Sequence, residues 1–518
     1  MRAYLTGAVA ACLGLAAGPG LAQTAPAPPT AAASPAPVLV APAPALQALE
    51  TAIDQALAKE AADDKAGALA AFEAAAASPA FARLSARRRY EVYGHAGLLA
   101  YELDRDALAH DMARKATAMD LAGNQAWRFR LRAASAADDM DDAIETLRRL
   151  ALRGAAGLET LPDEWIFELV RDAEKRPNGA EVRFRLTQAL FDSGWKPDRG
   201  VWDQPSIIWR DLALDYIQRG QMDKAKAAAA RVLNAYAVMS MHADRRFDPL
   251  VRAEPGSYAL EQAIERELAE YRARSAAQPN SLKARNALAM RLLSRNRLDE
   301  ALAVLDEGLA LASPAAGKNA LASDADELNW SLDVRAQVLR AAGRNAEALA
   351  VYEKAAAAPE RGDANVSQTL NLAAEYVSQG RPREALATAE RMGKASVYGQ
   401  SVQAMARACA YAQLGDRASA AKALAILRRN RDDAPGPLTH ALLCTNDLDG
   451  AAAHHVAALA DPDLRFSMLG RIQDYRFEDS QTAYDKEMRR RLRLVLARPE
   501  VKAAIDKVGR IVPVDLMD

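Results

Sequence analysis

The densest group of side chains with metal-ligand chemistry is His440, Cys444, His454 and His455. Imidazole and thiol one helical turn apart, followed by two more imidazoles, form a donor set of the type a tetrahedral zinc site uses. The spacing argues against it. His454 and His455 are adjacent, so on a helix they point about 100° apart and cannot both face His440. The reading is ordinary helix-borne histidines, with no metal and no cofactor. The neighbouring "TNDLDG" mimics the start of a calcium loop, but Thr445 and Val456 stand where the first and last carboxylates belong. No H-E-x-x-H, G-x-S-x-G, phosphate-loop or dinucleotide glycine motif occurs. The expectation is a protein that is not an enzyme, with no catalytic residue.

Two further sets carry potential chemistry. Trp195, Trp202 and Trp209 recur every seven residues in "GWKPDRGVWDQPSIIW", an insertion near 194–208 broken by Pro197 and Pro205. Trp195 and Trp202 either form an aromatic platform for a peptide or glycan, or pin the insertion to the body. Burial is the favoured reading, because tryptophan is mostly buried in folded chains. Cys409 and Cys444 are read as buried small hydrophobes, with a disulfide as the alternative. The arginines Arg489, Arg490, Arg491 and Arg493 spread around a helix and make no stripe, so they read as a solvated face.

Something must position these residues, and composition says that it is helical. The chain has 518 residues, 50% of them apolar but only 6% aromatic, with alanine abundant. That length exceeds one compact core and implies several domains or a repeat array. The net charge of −1 shows no basic surplus, which argues against a nucleic-acid partner. Residues 1–22 have the layout of a secretory signal peptide: Arg2, an apolar stretch Ala8 to Ala17, and small residues before a cleavage point after Ala22. The lesser alternative is a lipoprotein anchored through Cys12. Residues 23–45 carry seven prolines and read as a Pro/Ala-rich linker. No later stretch is long and apolar enough for a transmembrane segment. A periplasmic location is expected.

From 46 onward helices break every 12 to 20 residues. "WRDLALDYIQRGQMDKAKAAAARVL" places Trp209, Leu212, Ala213, Tyr216, Gly220 and Ala225 in a fixed order. Similar orders recur as Leu288, Ala289, Leu292, Asn296 and Ala301; as Ala336, Leu339, Gly343 and Ala348; as Leu372, Ala373, Tyr376, Gly380 and Ala385; and as Ala408, Tyr411, Gly415 and Ala420. Weaker copies run through Ala68, through Tyr93, Gly97 and Ala109, through Trp127, Leu131 and Ala143, and around Ala452. From Ala301 to Ala420 the second-helix alanines are 47, 37 and 35 residues apart. This pattern resembles the tetratricopeptide-repeat superfamily, whose unit is about 34 residues, in an exported bacterial type. The resemblance covers most of 46–462 and is strongest over 206–235 and 282–430.

The resemblance implies an all-α, right-handed α-solenoid of antiparallel helix pairs. It divides the body into degenerate repeats over 46–205, clearer repeats over 206–462 and capping helices over 463–518, the last shielding the final repeat. "DRRFDPL" is expected to close one hairpin by burying Phe247 and Leu250. In such domains ligands contact the first helix of each pair. By resemblance, the partner-binding groove comprises Arg210, Leu214, Asn286, Met290, Asp333, Gln337, Arg340 and Asn371. It departs from the carboxylate clamp of chaperone-binding members, which wants Asn one turn after a basic residue, because Leu214 follows Arg210. The implied function is a non-enzymatic protein–protein interaction scaffold of the cell envelope, holding a partner peptide or helix. The alternative is a glycan-binding or polysaccharide-export accessory protein that uses the Trp-rich insertion.

Overall fold

A computed structural model describes residues 44–153, 155–158, 161, 163–196, 204–312, 327–358, 365–476 and 482–517. The proposed signal peptide, Trp202 and almost all of the linker lie outside them. The described chain is helical apart from one two-stranded sheet. It falls into two compact units, one up to residue 198 and one from 199.

One local device builds both units. Ten described residues have positive φ: Asp63, Asp104, Asp138, Gly194, Gly220, Asn296, Gly343, Gly380, Gly415 and Asn446. Each ends a helix in the same way. Its own N–H bonds to the carbonyl three residues back, and the next N–H bonds to the carbonyl five residues behind it, as in Gly220→Ile217 at 3.0 Å and Gln221→Tyr216 at 2.9 Å. This is the Schellman termination, which satisfies carbonyls that the helix end would otherwise orphan. Glycine takes the left-handed conformation without penalty, while Asp and Asn tolerate it through their short polar side chains.

Five residues after nine of these turns stands an alanine: 68, 109, 143, 225, 301, 348, 385, 420 and 451, none more than 5% exposed. The tenth such position lies outside the described residues. A methyl side chain there lets the second helix cross close to the first. The late repeat therefore centres on Ala451, one residue before the Ala452 expected, because its turn is Asn446. The expected fold, antiparallel helix pairs stacked as an α-solenoid, is the one observed within each unit.

In unit 1 the pairs run from Pro44–Ala61 with Lys65–Ala77 to Asp163–Glu174 with Gly179–Asp192. Leu69, Phe72, Leu99 and Phe129 fill its core. Arg130 Nε and His110 Nε2 contact Asp142 Oδ2 at 2.9 and 2.8 Å, tying three consecutive helices together. Burial works against the Asp142 charge, but hydrogen bonds from Arg130 and His110 outweigh it and hold the carboxyl well below the usual range.

Unit 2 carries the clearer pairs, from Gln204–Gln218 with Met222–Ala229 to Pro435–Cys444 with Leu448–Ala460. Phe247 and Leu250 are buried, at 2% and 1% exposed. The last segments cover the final hairpin: Arg498 pairs with Asp449 at 2.7 Å, and Val495, Val501 and Ile505 join Ala451 and Leu459 in one core. They also do more than cap it. The chain doubles back to the start of unit 2, where the Arg510 N–H donates to Ala243 O at 2.8 Å and its guanidinium grips Asp248 at 2.8 Å. Gly509 allows this approach, since a Cβ there would meet Ala243 O at 2.4 Å. Strand Pro513–Met517 pairs in parallel with Asp474–Arg476. Unit 2 is thus closed by its own C-terminal segment.

Candidate functional site

The first helices of unit 2 place Gln337, Arg340, Asn371 and Glu375 around a cavity of about 290 Å³. Helix Leu328–Ala341 supplies the first two and Ser367–Ser378 the others, along with Ser378. Helix Ala483–Leu496 lies across one side and brings Tyr484 and Asp485.

The charges are shared rather than free. Arg340 meets Asp485 at 2.5 Å and Glu375 at 3.3 Å. Asp485 also belongs to a capping box with Thr482, whose hydroxyl is 3.0 Å from Ser378 Oγ. Behind the cavity Asp333 is fully buried and accepts two amide hydrogen bonds, from Gln337 Nε2 at 2.8 Å and Asn371 Nδ2 at 2.9 Å. Burial raises the Asp333 carboxyl against those two bonds, and it raises Glu375 against the nearby Arg340. His440 Nε2 lies 2.8 Å from the Tyr484 hydroxyl, and burial lowers its imidazole pKa, which favours the neutral ring.

The other groove candidates sit elsewhere. Arg210 is 4% exposed, and its guanidinium lies 3.3 Å from the centre of the Phe466 ring. Leu214 lines a narrow cleft with Phe466 and Leu469, so both residues face the chain's own helix Pro462–Arg471. Asn286 is 1% exposed and reaches the carbonyl of Glu327 at 3.4 Å, while Met290 packs against the local core. The returning C-terminal segment claims this end of the face. Trp195 is 2% exposed, so its ring offers no open face to a glycan, and Trp202 lies outside the described residues.

Cys409 and Cys444 form a disulfide with a Cα–Cα distance of 5.4 Å, which corrects the reading of two independent buried thiols. It staples helix Val397–Gln413 to Pro435–Cys444 beside the cavity, which Cys409 lines. This also removes Cys444 from the histidine group. Of those histidines, His454 lies 3.3 Å from Pro435 O and His455 lies 2.7 Å from Ala451 O. Among the described residues no group of three or more His, Cys, Asp or Glu is placed to hold a metal ion. No described helix is long and apolar enough to cross a membrane.

Sequence reasoning missed Glu375, Ser378, His440, Tyr484 and Asp485 as neighbours of this cavity. Glu375 had a signal, one turn after Asn371 on the same face. Thr482-x-x-Asp485 had another, as a capping box, though nothing local says where that helix docks.

No family model and no curated protein matches the chain. Comparison with solved structures finds PilW, a widely conserved type IV pilus biogenesis factor, at 16% identity and a TM-score of 0.26, covering 46% of this chain and all of that one. It also finds yeast Tom70 at 10% identity and a TM-score of 0.32, covering 89% of this chain and 99% of that one. The TPR domain of P58(IPK) matches at 14% identity and a TM-score of 0.19, over 87% and 100%. At these values none of them informs function. The repeat is visible within the chain itself: ten identical helix terminations and nine buried alanines at one offset make the described residues an α-solenoid of antiparallel helix pairs.

Proposed function

We propose that the protein is a non-enzymatic interaction scaffold of the bacterial envelope and that unit 2 holds a partner's peptide segment at the Gln337–Arg340–Asn371 face. The observation that carries this reading is the cavity itself. It opens on first helices, is lined by both polar and apolar side chains, and is already bordered by a docked helix of the chain's own C-terminal segment. A surface that accepts one helix through an ion pair, hydroxyl contacts and an aromatic edge has the chemistry to accept a segment of another protein.

Export to the periplasm is supported by the layout of residues 1–22 and by the Cys409–Cys444 disulfide, which persists in oxidising compartments. The test is quantitative co-purification of the full chain from crosslinked envelope fractions. A partner enriched by the wild type and depleted by the Gln337→Ala/Asn371→Ala double variant supports the reading. Equal recovery by both chains removes the face from consideration.

A further inference from the structure

Asp333 is the residue whose position asks for a reason. A fully buried carboxylate with no cation on it is costly, and its two hydrogen bonds come from neutral amides. An ionised carboxylate only accepts, so both amides must turn their NH₂ groups inward. That fixes the opposite ends. The carbonyl oxygens of Gln337 and Asn371, on neighbouring first helices, are left as acceptors at the cavity, and neither has a hydrogen-bond partner among the described residues.

The surrounding charge is negative on balance. Arg340 is the single cation of the lining and is divided between Glu375 and Asp485. With Asp333 behind, the region holds three carboxylates and one guanidinium, which pairs with Glu375 and Asp485. Burial lowers the pKa of His440, the other basic side chain of the lining, and so favours its neutral ring.

Resting on the scaffold reading above, we propose that this cavity receives a basic side chain of the partner, a lysine ammonium or an arginine guanidinium, held by the Gln337 and Asn371 carbonyls, with Glu375, already bonded to Gln379 and Arg340, adding negative charge beside them. Asp333 acts as a positioning residue: it touches no ligand but sets the direction of both amides. Tyr352, Val377 and Met405 supply apolar wall for the aliphatic stem that precedes the charge. Burial already opposes the charges of Asp333 and Glu375, and an incoming cation relieves that opposition.

The experiment uses the full oxidised chain and two probes, acetyl-Gly-Ala-Lys-Ala-Gly-amide and the same peptide with norleucine for lysine. Binding is followed by ligand-observed NMR. The lysine peptide should bind roughly tenfold tighter, since charge-assisted hydrogen bonds are about twice as strong as neutral ones and the site supplies several. The preference should shrink with added salt. Gln337→Met, which keeps the side chain's bulk without its carbonyl, should lower it severalfold. Asp333→Asn should abolish it by releasing one amide to flip, while the far-ultraviolet circular dichroism stays unchanged. Equal binding of the two probes overturns the proposal, as does tighter binding of a glutamate-bearing peptide, which would make Arg340 the recognising group. If co-purification of a partner still depends on Gln337 and Asn371 while the probes show no charge preference, the scaffold reading survives and this inference fails.

Discussion

Removing the disulfide tests whether the stapled pair of first helices behaves as the structure requires. The perturbation is Cys409→Ala/Cys444→Ala, which deletes both sulfurs and leaves no lone thiol to react. The bond closes a loop of 35 residues in sequence. The chain-entropy relation for such a loop predicts a loss of about 4 kcal/mol. Cys409 is 1% exposed, so the vacated sulfur adds a small packing loss in the same direction. The units need not unfold together, so a single melting temperature would mix them. The suitable assay is native-state hydrogen exchange on the full chain, read on peptides from helices Val397–Gln413 and Pro435–Cys444. Their slowest amides should lose about three orders of magnitude in protection, since each 1.4 kcal/mol is about tenfold. Peptides from Pro44–Ala61 and Lys65–Ala77 in unit 1 should be unchanged. Reducing the wild type should reproduce the pattern. Unaltered protection in unit 2, or two free thiols in the native oxidised protein, would refute the reasoning.

Three other outcomes follow from particular groups. Asp142→Asn should destabilise unit 1 by about 3–5 kcal/mol, because it breaks a largely buried pair. Since the folded Asp142 carboxyl sits below its ordinary value of 3.8, its contribution is complete above that pH and fades as pH falls below it; an acid titration of unit 1 exchange rates should therefore lose part of its steepness in the variant. His455 is fully buried and its pKa is lowered to about 4 by burial, so unit 2 should weaken as pH falls from 6.5 toward 4, by about 3 kcal/mol. His455→Leu should flatten that limb, and an unchanged acid profile would count against a neutral buried imidazole. Ala225→Leu should cost at least about 1–3 kcal/mol by overpacking the hairpin crossing, whereas the same change at the exposed Ala227 should leave thermal stability nearly unchanged.

The repeat was legible because its signal is local. A left-handed turn residue and an alanine five positions later can be read from a single helix pair, and Gly220, Asn296, Gly343, Gly380 and Gly415 announce themselves. Asp63, Asp104 and Asp138 perform the same turn less visibly, since aspartate is common at exposed helix ends for other reasons. The disulfide had a signal that went unused: a separation of 35 residues is about one repeat, which places both cysteines on neighbouring first helices. The return of the C-terminal segment had none. Arg510 on Asp248 and Phe466 under Arg210 are contacts across more than 250 residues, set by how the pairs of unit 2 stack rather than by any local pattern. For that reason Arg210 and Leu214 resembled groove residues, while only Gln337, Arg340 and Asn371 came together around the cavity.

The most direct measurement is a site-specific photo-crosslink from the cavity wall in living cells. Ala374 lines the cavity and takes no part in its hydrogen bonds, so a benzophenone side chain at that position reports what comes to the face. The account predicts a covalent adduct with a second polypeptide, lost when Gln337→Met is added. Adducts confined to the chain's own helix Ala483–Leu496 would contradict it and would make the docked C-terminal helix the permanent occupant of this surface.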